Sequence, residues 1–370
     1  MKTAATQGPL PAYPADRNEY PTPFRFGHRF ETSVGQRLAS EGLMIPIDLV
    51  IATDGMMYVL CRSAAAPGIV PRNRFVPVDL DDEYGEEIIP IIDGRPQEPG
   101  KEFLPSPVMC AMDSEGTLFS TDEQANVVSM FKTTGETIGW WGETGDGPGQ
   151  FDAPAGIALD ADENLWVSES RNHRLQKFAR DGRYISGWGE FGAGPGQLDH
   201  PWGIAIDPVS GTVLVADWRN DRVQRFSPEG EVLQIIGHPG SGEGELKRPS
   251  GVTVDKHGDV YVADRGNNRV LLFNPRGMFI ESFRGDAHIT EKGYRKLLSN
   301  PDALRFRDNV INLDVEKRFV APNSVKVDAN GLVYIADTGR YRIQVYRNPA
   351  VTLSPDQIDP PEMHPDPVVY

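Results

Sequence analysis

Three stretches decide the fold of this chain: PAGIALDADENLWVSESRNHRLQKFARDGRYISGWG at residues 154–189, PWGIAIDPVSGTVLVADWRNDRVQRFSPEGEVLQIIG at 201–237, and PSGVTVDKHGDVYVADRGNNRVLLFNPRGMFIESFRG at 249–285. They align almost without gaps, and their leading prolines are 47 and 48 residues apart. A fixed period of this size is typical of solenoids, propellers and repeat arrays. The chain is therefore a repeat protein.

Weaker copies of the same repeat begin at Pro107 and Pro322, and the most divergent copy begins at Pro46, which makes six. Each copy alternates short apolar runs with turns that contain Gly or Asn, and this pattern predicts four short strands. One such sheet cannot bury both of its faces, whereas six sheets stacked radially bury them against one another. The sequence predicts an all-β fold, a six-bladed β-propeller.

The sixth copy stops after its third strand, at RIQVYRN, so one strand is missing from the ring. The sequence FRFG, which ends at Gly27, matches the fourth-strand endings GWWG and SGWG of other copies. We therefore predict that Thr22–Gly27 closes the ring as an N-terminal strand. The propeller then spans residues 22–347, between a Pro-rich extension at 1–21 and a Pro-rich, acidic tail at 348–370.

Between copies five and six the leading prolines are 73 residues apart, which defines an insertion at residues 286–320. Short helices are predicted there, beginning after Thr290 and at Pro301. The insertion emerges on the side of the ring that carries the linkers between blades, called the linker face below. A lid that partly covers the channel and a packing insertion on the rim both remain open.

Composition and charge limit the possible partners. The net charge of −16 opposes binding to phosphate backbones, so no nucleic acid is expected as a partner. The two cysteines, Cys61 and Cys110, cannot make a disulfide framework or a zinc site by themselves. No apolar run is long enough for a membrane span or a secretory signal, and we expect a cytoplasmic, monomeric protein without membrane contact.

Over roughly residues 22–347 the chain resembles the NHL-repeat family, whose repeats carry P-x-G-I-A-V-D, then V-A-D-x-x-N-x-R and a linker G-x-G-Q. That linker is present at residues 147–150 and 194–197. The resemblance implies a six-bladed propeller. It also implies one of three kinds of activity: protein binding, RNA binding, or catalysis as in the peptide-amidating lyases. Fold alone does not choose among them.

The peptide-amidating lyases have similar repeats, but they bind zinc through histidines that follow the blade-start proline. This chain has other residues at the six equivalent positions: Ile47, Val108, Ala155, Trp202, Ser250 and Asn323. Gluconolactonase-like propellers bind calcium through inward-facing Glu, Asn and Asp residues. In this chain only the Asn has a counterpart, which is Asn323. No metal site and no cofactor are predicted, although structural calcium or zinc in the channel remains open.

The loops between strands two and three share the linker face, where propellers usually bind their ligands. Four arginines on these loops are not required by the repeat, two tryptophans lie in one sector, and two histidines neighbour them. The candidate ligand-binding residues are Arg171, His173, His200, Trp202, Trp218, Arg219, Arg265, Asn323 and Arg340. Solvated surface arginines, interblade packing of the tryptophans and ordinary polar histidines remain the alternatives.

A second set of arginines belongs to the repeat itself, because each follows an acidic residue by five positions. These pairs predict internal ion pairs and no ligand contact. The four pairs are Glu169 with Arg174, Asp217 with Arg222, Asp264 with Arg269, and Asp337 with Arg342.

The sequence therefore predicts a propeller that binds a protein or a small anionic ligand at its linker face. The alternative is a lyase or hydrolase with its active site at the channel mouth. RNA binding comes third, because the net charge and the acidic residues on the same loops oppose it.

Overall fold

The computed structural model describes residues 27–35, 43–63, 73–89, 104–288, 298–299, 301, 305 and 314–348. The predicted tail beyond residue 348, the extension at 1–21 and most of the 286–320 insertion, with its helix starts near Thr290 and Pro301, lie outside or at the edge of these ranges. The predicted all-β, six-bladed propeller is confirmed.

The strands occur in chain order as follows. The N-terminal strand is β1 (Arg29–Val34), and blade one is β2 (Pro46–Ile51), β3 (Met57–Cys61) and β4 (Arg74–Val78). Blade two is β5 (Pro107–Met112), β6 (Thr117–Asp122), β7 (Val127–Lys132) and β8 (Thr137–Trp141), followed by the linker strands β9 (Glu143–Thr144) and β10 (Gln150–Phe151). Blade three is β11 (Pro154–Leu159), β12 (Leu165–Glu169), β13 (Arg174–Phe178) and β14 (Tyr184–Trp188).

Blade four is β15 (Pro201–Ile206), β16 (Val213–Asp217), β17 (Arg222–Phe226) and β18 (Val232–Ile236), followed by the linker strands β19 (His238–Pro239) and β20 (Glu245–Leu246). Blade five is β21 (Pro249–Val254), β22 (Val260–Asp264), β23 (Arg269–Phe273) and β24 (Phe279–Phe283). A short helix, α1 (Asp314–Lys317), precedes β25 (Pro322–Val327), β26 (Leu332–Asp337) and β27 (Arg342–Arg347) of blade six.

The core lies between neighbouring blades. For example, Phe119 and Val128 of blade two pack in one buried cluster with Val167 and Phe178 of blade three. The innermost strands approach so closely that a Cβ atom on Gly156 would lie 2.2 Å from the carbonyl oxygen of Trp202. This close approach explains the glycine that follows the blade-start proline by two positions.

The outer strand of blade six is β1, which pairs antiparallel with β27 and places Val34 opposite Ile343. The predicted segment Thr22–Gly27 is wrong as the closing strand, because β1 at Arg29–Val34 occupies that position; residues 22–26 themselves lie outside the described ranges. The distance to the blade-start proline of blade one distinguishes the segment Thr22–Gly27 from β1. A glycine lies twelve residues before the first proline of blades three and four, and Gly35 lies eleven before Pro46.

The arginines of the repeat form the predicted ion pairs and also anchor the linkers. Arg222 Nε donates to Asp217 Oδ2 at 2.8 Å, and its terminal nitrogens donate to the carbonyls of Gly194 at 2.7 Å and Gln197 at 2.9 Å. The other three pairs, Arg174 with Glu169, Arg269 with Asp264 and Arg342 with Asp337, have the same ion-pair geometry. In each of blades three to six, one guanidinium therefore joins a strand to the preceding linker.

The described end of the insertion serves as the linker of blade six. Arg342 donates to the carbonyls of Glu316 and Lys317, at 2.8 and 3.0 Å, in the way that Arg222 donates to its own linker. Within the described ranges, none of the helices is both long and apolar enough to cross a membrane.

Candidate functional site at the channel mouth

A cavity of about 330 Å³ opens on the linker face at the centre of the ring. Side chains from blades one, two, four, five and six line it. They are Ile45, Ile47, Arg62, Val108, Trp202, Trp218, Ser250, Arg265, Asn323 and Thr338. Four residues of the predicted site, Trp202, Trp218, Arg265 and Asn323, are therefore brought together here.

Two positions of the repeat supply nearly all of this lining. The first is the residue after the blade-start proline, at the entrance to each innermost strand, as in Trp202 and Asn323. The second is the residue directly after strand two: Arg62 follows β3, Trp218 follows β16, and Arg265 follows β22. Blades one, four, five and six each supply one side chain of each kind, and blade two supplies Val108.

One wall of the cavity is aromatic. The rings of Trp202 and Trp218 have centroids 5.9 Å apart with an interplanar angle of 35°. The guanidinium of Arg248 lies 4.9 Å from the centroid of the Trp218 ring, which is a cation–π distance. Trp202 also packs against the core of blades two and three. The same side chain therefore contributes to interblade packing and to the wall of the cavity.

The cavity also carries positive charge. Arg62 is neutralised by Glu123, with 3.0 Å between Nη2 and Oε1, and its Nε donates to the carbonyl of Pro107 at 2.6 Å. The side chain of Arg265 has no acidic or hydrogen-bonding partner among the described residues. Although the residue is exposed at the cavity mouth, partial desolvation of its guanidinium, followed by the positive charges of Arg62 and Arg248, lowers the pKa of Arg265. A bound anion would relieve this repulsion.

The polar groups near the floor bridge blades five, six and one. Asn323 Nδ2 donates to the carbonyl of Ile47 at 2.8 Å, and Thr338 Oγ1 donates to the carbonyl of Pro46 at 2.6 Å. Ser250 Oγ donates to the carbonyl of Asn323 at 2.8 Å. Because these bonds tie the blades to one another, the floor of the cavity is held in place before any ligand arrives.

The predicted residues His173 and His200 do not line this cavity but meet on the rim between blades three and four. Asp199 Oδ1 lies 2.7 Å from His200 Nδ1 and 3.7 Å from His173 Nδ1. Burial lowers the pKa of His173, and the neighbouring His200 adds to this effect. The three side chains are half-buried.

Three of the predicted arginines also lie outside the cavity lining. Arg171 has 66% of its side chain exposed and contacts Asp152 Oδ1 at 3.4 Å. Arg219 is exposed on the loop after β16. Arg340 donates to the carbonyl of Val315 at 2.8 Å, beside α1. They belong to the surrounding surface.

Arg62 and Thr338 line the cavity but were not among the sequence candidates. The signal that could have found them is positional, because both directly follow strand two, as Trp218 and Arg265 do. In blade one this signal is hidden, since Cys61 replaces the acidic residue and the arginine that begins strand three, Arg74, follows it by thirteen positions instead of five.

The blade geometry defines a six-bladed β-propeller, and its repeats are similar to NHL repeats. Comparison with protein families supports this class: the NHL repeat model matches residues 246–273 and 319–346. The model of the SMP-30/Gluconolactonase/LRE-like region matches residues 148–243. A comparison with curated proteins finds no match.

Solved structures with a similar fold include propellers of known and unknown activity. A catalytically inactive virginiamycin B lyase from Staphylococcus aureus with quinupristin is 14% identical, covers 87% of each chain and has a TM-score of 0.54. A streptogramin B lyase is 14% identical over 85% of this chain and 86% of that one, with a TM-score of 0.53. A protein of unknown function from Bacteroides thetaiotaomicron is 16% identical over 86% and 73%, with a TM-score of 0.57. At these identities the likeness concerns the fold alone.

Proposed function

We propose that this propeller binds a small anionic ligand with a planar apolar part in the cavity at the channel mouth. The observation that carries the proposal is Arg265, an unneutralised guanidinium that lines the same cavity as an aromatic wall. Because the chain has a net charge of −16, a positive cavity is a local departure from its general electrostatics.

The chemistry of the lining supports this class of ligand. Guanidinium groups bind carboxylates and phosphates with paired hydrogen bonds, and indole faces stack on planar apolar groups. A volume of about 330 Å³ lies at the lower end of small-molecule sites. A protein partner would use the same contacts by inserting an acidic side chain. The predicted partial cover of this face by the 286–320 insertion falls mostly on residues outside the described ranges.

A matched pair of probes tests the proposal by calorimetric titration: 2-naphthoate, and its neutral isostere 2-naphthamide. We expect the carboxylate to bind with a dissociation constant on the order of 1 mM, which is in the range for a ligand of this size. The amide should bind much more weakly. R265A should weaken binding of 2-naphthoate by about tenfold or more, because a charged hydrogen bond is lost.

R171A is the control variant, since it removes the same charge from the rim outside the cavity. Its affinity for 2-naphthoate should remain close to that of the wild type. Equal binding of the acid and the amide, or equal losses in R171A and R265A, would show that the cavity does not select an anion.

The second candidate function is a lyase or hydrolase at the same mouth. The observation in its favour is the cluster of His173, Asp199 and His200 on the adjoining rim, which brings two imidazoles to one carboxylate. The structural likeness to streptogramin lyases reaches no further than the fold.

RNA remains the least favoured partner, although one reason given for this is wrong. Glu169, Asp217, Asp264 and Asp337 are fully buried and paired with the repeat arginines, so they do not cancel the charge of the exposed arginines. The net charge still opposes association. Fluorescence anisotropy with random single-stranded RNA at about 150 mM salt should show no submicromolar binding. Tight, salt-sensitive binding would reverse the ranking.

A further inference from the structure

We propose that His173, Asp199 and His200 form a binding site for a divalent transition metal of the zinc type, on the rim between blades three and four. Asp199 Oδ1 lies 2.7 Å from His200 Nδ1 and 3.7 Å from His173 Nδ1. The ligand atoms of the three residues all lie within 4.8 Å of one another. Bonds of about 2.0–2.1 Å place the ligand atoms of tetrahedral zinc roughly 3.3 Å apart, so small side-chain rotations are sufficient.

The repeat itself provides the comparison that makes this cluster unusual. The side chain directly before the first residue of strand three accepts a hydrogen bond from the backbone N–H directly before the next blade-start proline. Asn126 does so for Ala153 at 2.8 Å, and Asn268 does so for Ala321 at 2.7 Å. In blade three, His173 Nδ1 accepts from the N–H of His200 at 3.2 Å.

The fold therefore requires an acceptor at the first position and only a backbone amide at the second. Asparagine and alanine meet both requirements in two other blades, and in blade four Asp221 accepts from the backbone N–H of Arg248 at 2.6 Å. The linker hydrogen bond does not require imidazoles at both positions, nor a carboxylate between them. A metal ion that replaces the hydrogen bonds among these side chains accounts for all three residues.

The donor set indicates the class of ion. Two imidazoles and one carboxylate suit zinc, cobalt, nickel and ferrous iron, whereas calcium and magnesium prefer oxygen ligands alone. Three protein ligands leave at least one coordination position open for water or another ligand. The ring of Phe191 lies edge-on to His173 at 4.7 Å between centroids and shields one side. Arg219, whose positive charge acts on His173, weakens the attraction for a cation.

Titration with Co²⁺, followed by its visible absorption, and calorimetry with Zn²⁺ test the site. We expect one ion per chain in the wild type. H173N and H200A should each weaken binding by about 100-fold or more, because each removes a ligand. These substitutions introduce the residues that the ring already uses at the equivalent positions, so the melting temperature should stay near that of the wild type.

H238A is the control, because His238 has 68% of its side chain exposed in the next linker. It should bind Co²⁺ as the wild type does. R219A should bind it more tightly. The proposal is overturned if the H173N/H200A double variant binds as tightly as the wild type, or if H238A loses as much affinity as H200A.

Discussion

Deletion of residues 1–35 is expected to open the ring, whereas deletion of residues 1–26 should leave it closed. The longer deletion removes β1, so the β27 edge loses its partner and Val34, which is fully buried, no longer covers the core. Burial of one such side chain contributes about 1.5–3 kcal/mol, and each ladder hydrogen bond about 0.5–1.5 kcal/mol. The total loss, roughly 5 kcal/mol or more, is comparable to the stability of a whole domain.

Thermal unfolding and size-exclusion chromatography with light scattering separate the two deletions. The longer one should melt far below the wild type and form aggregates through the exposed strand edge. The shorter one retains Gly27 and His28, which contact Glu281 at 3.2 and 2.9 Å, and should resemble the wild type. A monodisperse 1–35 deletion with wild-type stability would refute closure by β1.

R222A should lower the free energy of unfolding by about 3–5 kcal/mol, because it leaves a buried charge unpaired. Arg222 and Asp217 are both buried, and the guanidinium also donates to the carbonyls of Ala193, Gly194 and Gln197. The variant therefore loses an ion pair and the anchor of one linker in a single step.

R219A, three residues earlier on the same loop, is the matched control and should change stability by less than about 0.5 kcal/mol. Urea unfolding of both variants gives the comparison directly. If R222A unfolds at nearly the same urea concentration as R219A, the repeat ion pair does not anchor the linker.

The number of blades and the repeat ion pairs could be predicted because both are repeated. A pattern that recurs in several copies separates structural positions, such as Arg222 and Arg269, from positions that vary between blades. The same comparison places Trp202, Trp218 and Arg265 near the axis. Trp202 directly follows a blade-start proline, and Trp218 and Arg265 directly follow strand two, and both of these repeat positions lie at the channel mouth. Periodicity therefore carries both the fold and part of the site.

The errors and omissions fall where the repeat is weak. The FRFG segment resembles a fourth strand in composition, but Gly27 lies nineteen residues before Pro46, whereas Gly35 lies eleven before it, within one residue of the spacing in blades three and four. Arg62 was missed because its loop lacks the acidic residue, and because Arg74 follows Cys61 by thirteen positions instead of five. The role of His173 as a hydrogen-bond acceptor depends on which nitrogen faces the next linker, and that is a matter of side-chain geometry.

The central claim is that an anionic ligand binds between the tryptophan wall and Arg265. The most direct measurement is the NMR spectrum of the ¹⁵N-labelled indole groups, of which the chain has six. Addition of 2-naphthoate should shift the signals of Trp202 and Trp218 and leave that of Trp140, on the outer strand β8, unchanged; 2-naphthamide should shift none of them. Shifts confined to Trp140, or equal shifts with the acid and the amide, would contradict the account.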